Sequence, residues 1–80
     1  MITSKQNALI KEIRSLFDKK FRDRLGVFVI EGAKPVNEAL SLGLSIRNIV
    51  ATQKGSNAIS GNAENLEIVS DEVFCYISEE

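Results

Sequence analysis

Three short apolar runs rich in β-branched residues constrain this chain more than any other feature. They are residues 27–30 (Val27, Phe28, Val29, Ile30), residues 46–52, centred on Ile49, Val50 and Ala51, and residues 66–69. Each is too short for a helix. The first has no polar alternation, which suits a strand buried on both faces, as in a parallel or mixed α/β sheet. The stretches between the runs carry helical spacing. In residues 4–18, Leu9, Ile10, Ile13, Leu16 and Phe17 recur on one stripe, and Thr3 with Gln6 has the spacing of a capping box. Residues 19–25 form a basic connector, a helical turn at most, which Gly26 ends.

After Glu31 and Gly32 close the first strand, Pro35 suits the first turn of a helix with Val36, Ala39 and Leu40 on its apolar face and Gly43 just past its end. Residues 53–65 are polar and hold Gly55, Ser56, Asn57, Gly61 and Asn62, which predicts a loop with at most a short helix. Ser70 or Asp71 caps a last helix carrying Val73, Phe74 and Ile77. Alternation of this kind predicts an α/β fold: a three-layer α/β/α sandwich around a small central mixed sheet. With 80 residues the chain makes one domain, residues 1–80, near the lower size limit for independent folding.

Composition excludes several function classes. Cys75 is the only cysteine, so no disulfide framework is possible, and a reduced, cytoplasmic compartment is expected. Its place beside Phe74 predicts a small buried or half-buried hydrophobe. Histidine is absent, which removes imidazole acid–base chemistry, the Ser-His and Cys-His dyads and the common zinc patterns. No apolar stretch reaches the roughly 20 residues of a membrane span or the 7–15 or so of a signal peptide. The glycines form no phosphate-cradling motif. No constellation points to catalysis, and no cofactor or metal is expected in this chain.

The formal net charge of −1 conceals an asymmetry. Residues 1–24 hold seven basic residues against Glu12, Asp18 and Asp23, a net of +4, while residues 25–80 hold Lys34, Arg47 and Lys54 against eight acids, a net of −5. Lys and Arg neutralise phosphates, and Arg forks onto phosphate oxygens. Asn7, Lys11 and Arg14 share one helix stripe away from the apolar face, and Arg22 and Arg24 follow. This face contacts nucleic acid, or it is a solvated face neutralised by i, i+4 pairs. Glu31 orients an arginine, accepts a hydrogen bond from a ligand, or makes a structural salt bridge. Tyr76 and Phe21 are candidate stacking rings.

A family pattern joins these pieces. The run S-K-Q-N-A-L-I-K-E-I-R-S-L, the spaced R-D-R-L-G-V-F-V-I-E-G, A-K-P-V-N-E-A-L with its following strand, and V-S-D-E-V-F-C-Y-I-S cover nearly the whole chain. Together they resemble the N-terminal substrate-binding domain of SpoU/TrmH-family RNA 2′-O-ribose methyltransferases, guanosine-directed enzymes of ribosomal RNA included. The resemblance implies a small α/β/α sandwich similar to that of ribosomal and kink-turn-binding proteins. It implies a structured ribosomal or transfer RNA as partner and a following knotted methyltransferase domain that binds S-adenosylmethionine. It also implies a homodimeric parent without membrane attachment. On that pattern the 80 residues are the front piece of an enzyme and have no activity of their own. Asn7, Lys11, Arg22, Glu31 and Gly32 occupy the family's motif positions; Arg14 and Arg24 join them on electrostatic grounds. Residues 53–65 depart from the family in being shorter and more polar than the helix usual there. The competing expectation is a dimerisation or docking module whose acidic two-thirds is the working surface.

Overall fold

A helix starts where a side chain satisfies its unpaired N–H groups. The computed structural model, which describes residues 1–60 and 65–78, puts that point at Asn7. Asn7 Oδ1 accepts from the backbone N–H of Leu9 at 2.9 Å and of Ile10 at 3.4 Å, opening α1 (Ala8–Ser15). The predicted start near Ser4 is therefore too early. Ile2 is pinned beside Val69: its N–H donates to the Ile68 carbonyl and its own carbonyl accepts from Ser70 N–H, both at 2.9 Å. The chain must turn before it can wind, and Ser4 Oγ takes the Gln6 N–H within that turn. The predicted end also moves. Asp18 is the cap of a second helix, α2 (Lys19–Leu25), its Oδ1 accepting from Lys20 N–H at 3.0 Å. Gly26 closes α2 in the left-handed region, with φ 68°, where a residue without Cβ is unstrained.

The first predicted strand does not form. Residues 27–30 are in no ladder, and their burial alternates: Val27 and Val29 are half-buried, while Ile30 is exposed and Phe28 keeps 78% of its surface. A strand needs a neighbour to take its N–H and C=O groups. Here β1 (Ile49–Ala51) pairs with β2 (Leu66–Ile68), and the bridge beyond β2 goes to Ile2. The apolar run thus passes as an unpaired segment with one face outward.

The remaining elements are α3 (Ala33–Ser41), the short α4 (Gln53–Ser56) and α5 (Asp71–Ser78). Gly32 precedes α3 at φ 105°, and a Cβ there would lie 3.3 Å from the Pro35 ring. Pro35 sits in the first turn of α3, and Gly43 follows its end at φ 70°, as predicted. Thr52 Oγ1 caps α4 by accepting from Gly55 N–H at 3.0 Å. Ser70 Oγ accepts from Val73 N–H at 3.2 Å at the start of α5. Gly61 and Asn62, placed in the loop by sequence, and Glu79 and Glu80 lie outside the described residues.

The α/β class holds. The sheet is smaller than expected and, among the described residues, parallel and not mixed, with Ile49 opposite Leu66, Val50 opposite Glu67 and Ala51 opposite Ile68. The core lies where α1 crosses α5. Ile10, Val69, Val73 and Ile77 form it, with Ile2, Ile13, Val50 and Tyr76 packed around. Val50 faces this cluster, so the pleat turns Ile49 and Ala51 the other way. Both are buried as well. The double burial anticipated for residues 27–30 belongs to β1. Two other expectations fail at α5. Phe74 is exposed, and Cys75 is exposed rather than packed. At 100° per residue, position 75 lies about 200° round the helix from Val73, away from the core. Among the described residues, no helix is long and apolar enough to cross a membrane.

Candidate nucleic-acid interface

Side chains on α1 and α2 and the segment after them make the most charged region of the fold. Lys11 is exposed on α1. Arg14, one turn further on, is half-buried, its guanidinium 5.7 Å from the centre of the Tyr76 ring and 5.8 Å from that of Phe17. Lys5 Nζ lies 5.4 Å from the Tyr76 ring, and Arg24 lies 5.6 Å from the ring of Phe21. Rings read from sequence as stacking candidates thus each lie close to a cation. That fixes where positive charge sits.

Arg22 has a different task. Its Nη1 donates to the carbonyls of Leu16 at 3.1 Å and Phe17 at 3.4 Å, the orphan carbonyls at the end of α1. It therefore clamps the turn between the two helices while its charge remains. Arg22 then lines a cleft of about 300 Å³ with Phe17, Phe28, Val29 and Glu31. Glu31 is exposed, and no salt bridge joins it to Arg22 or to any other described cation.

The structure brings some predicted residues together and leaves others apart. Arg22 and Glu31 share the cleft. Arg14 lies outside the lining, its guanidinium 5.8 Å from the centre of the Phe17 ring, and Gly32 turns the chain at φ 105° just beyond Glu31. Lys11 lies one turn back along α1. Arg24 sits on α2 beside Phe21. Asn7 is about 10 Å from Arg14 along the helix axis, and its Oδ1 is committed to the cap. A cap of this kind contributes about 1 kcal/mol, so the motif asparagine has a structural role. Sequence reasoning did not anticipate Phe17 and Phe28 in the lining of this cleft. Phe17 belongs to the apolar stripe, and Phe28 belongs to a run that reads as buried. Only the lack of a strand partner, which is a tertiary fact, turns Phe28 outward.

Ion pairs engage part of the basic face. Lys5 meets Glu72 at 3.6 Å, Lys19 meets Asp23 at 2.7 Å, and Arg47 meets Glu12 at 3.1 Å. Among the described residues, Lys11, Arg14, Lys20, Arg22 and Arg24 meet no carboxylate. Internal neutralisation by i, i+4 pairs is represented by Lys19–Asp23 alone. Two pairs, Lys5–Glu72 and Arg47–Glu12, join residues 1–24 to the rest of the chain, and the first of them uses a cation of the basic segment.

Comparison with known families settles the affiliation. The family described as MRM3-like substrate binding domain matches residues 7–80, from the capping asparagine onward. The chain belongs to that family. No curated protein and no solved structure matches it. An MRM3-like substrate binding domain is the RNA-recognition part of an RNA methyltransferase, so RNA is the partner to be sought for the unpaired cations. Chemistry on the RNA belongs to the parent enzyme, and this MRM3-like domain holds the substrate.

Proposed function

We propose that this domain grips structured ribosomal or transfer RNA through the α1–α2 face, for a 2′-O-ribose methyltransferase of the SpoU/TrmH kind. The observation that carries the reading is the set of five cations on two successive helices without a carboxylate among the described residues. Lys11, Lys20 and Arg24 stand exposed to meet phosphates. Arg14 and Arg22 are held by rings and carbonyls, so they present charge at fixed positions. Fixed guanidiniums and shape are what A-form RNA recognition uses, since its deep groove hides the bases. S-adenosylmethionine is assigned to the methyltransferase domain of the parent, a homodimer in this reading, and no residue of this chain is assigned to it. The exposed Cys75 fits a reducing compartment such as the cytoplasm.

Salt titration tests the proposal. Contacts to three to five phosphates give a slope of log affinity on log salt of about −2 to −4, or a loss of roughly 20- to 300-fold between 50 and 200 mM salt. Fluorescence anisotropy with a structured RNA measures it. Affinity independent of salt, or no binding, contradicts it.

A further inference from the structure

The cleft between α1, α2 and the unpaired segment contains more than positive charge. Its lining combines two aromatic rings, Phe17 and Phe28, with an arginine and a carboxylate. An apolar ring as exposed as Phe28 lies open to a planar partner. Glu31, without a salt bridge among the described residues, leaves its carboxylate oxygens as open acceptors. Phosphate is excluded from contact with Glu31 by like charge. The group that suits this lining is flat, stacks on an aromatic ring and presents N–H donors at its edge. An unpaired RNA base is such a group, because single-stranded bases are read by stacking and by hydrogen bonds to their Watson–Crick edges.

Among the four bases, guanine places two N–H donors side by side on that edge, N1–H and N2–H, matching the two oxygens of one carboxylate. Uracil offers one donor there. Adenine and cytosine each set a donor beside a ring-nitrogen acceptor that a carboxylate repels. Arg22 stands beside this pair with Nη1 already engaged, its charge available to the backbone phosphate of the same nucleotide. We infer that the Phe17/Arg22/Phe28/Glu31 cleft holds one unpaired guanine, extruded from the RNA and used to position it. The inference rests on the RNA-binding reading and deepens it.

Four RNA hairpins that differ only in one unpaired loop nucleotide, G, A, C or U, supply the test, with binding measured at fixed salt. The expected result is a preference for G of roughly 10-fold, within the range of one bidentate base contact. Glu31→Gln abolishes that preference, because a carboxamide presents one donor and one acceptor, a pair that every base can meet on its Watson–Crick edge. Phe28→Ala weakens all four hairpins by about 5-fold or more, because the base has no ring to stack on. Both positions are exposed, so neither variant disturbs the core. Equal binding of the four hairpins by the wild-type domain overturns the guanine assignment alone. Absence of binding to every hairpin overturns the RNA-binding reading with it.

Discussion

Changing Lys11, Lys20 and Arg24 together to glutamate is expected to lower RNA affinity by roughly 100-fold or more near 0.1 M salt. The same change should flatten the salt dependence by about two to three units of slope, at 0.7–0.9 for each phosphate left without its cation. The three side chains are exposed and meet no carboxylate among the described residues, so their reversal costs no ion pair there. Arg22 is left out of the set deliberately. Its bonds to the Leu16 and Phe17 carbonyls hold the α1–α2 turn, and reversing it would mix folding with binding. Arg14 is left out for its seat between Phe17 and Tyr76. Binding isotherms at four salt concentrations give both quantities, and a thermal melt by circular dichroism checks that the fold is kept. Unchanged affinity and slope would return the three cations to the role of a solvated face.

The second large effect is on stability. Ile10 is fully buried at the centre of the α1–α5 contact, against Val69, Val73 and Ile77. Ile10→Ala removes packing from a cluster with few members, and truncations of this kind cost about 2–5 kcal/mol. A domain of this size holds about 4–12 kcal/mol in total. The thermal midpoint is therefore expected to fall by roughly 10–30 °C. Phe28→Ala, at an exposed position, is expected to move it by a few degrees at most. Calorimetry on the two variants checks the contrast. Equal small shifts would mean that the α1–α5 cluster is not what holds the fold together.

Much of this architecture is legible in the residue order, for reasons of local geometry. The stripe Leu9, Ile10, Ile13, Leu16, Phe17 fixes which side of α1 turns inward, and Ile10 and Leu16 are buried there. Pro35 and Gly43 bracket α3, and Ser70 opens α5. What fails depends on partners distant in sequence. Nothing between Ser4 and Asn7 tells that Ile2 is bridged to Val69, so the helix start is misplaced toward the capping box. Nothing in Val27 to Ile30 tells that β1 finds its neighbour in β2. A continuous apolar run says that a segment wants cover without saying whether the chain provides it.

The site is legible to the same extent. Charge asymmetry locates the basic helices, since net charge along a chain needs no tertiary knowledge. The cleft escapes such reasoning because it joins the end of α1, the middle of α2 and residues 28–31 through a turn clamped by Arg22. Asn7 has a structural task that its motif position does not announce. Its motif position suggests contact with RNA, and its geometry commits the side-chain oxygen to a helix cap.

Amide chemical shifts of the isotope-labelled domain, followed as a structured RNA is added, report most directly where RNA is held. The largest changes are expected at Lys11, Arg14, Lys20, Arg22 and Arg24 and through residues 28–32, with β2 and the acidic start of α5 little moved. Changes centred on Glu67, Asp71 and Glu72, or none on the α1–α2 face, would contradict the assignment of that face to RNA.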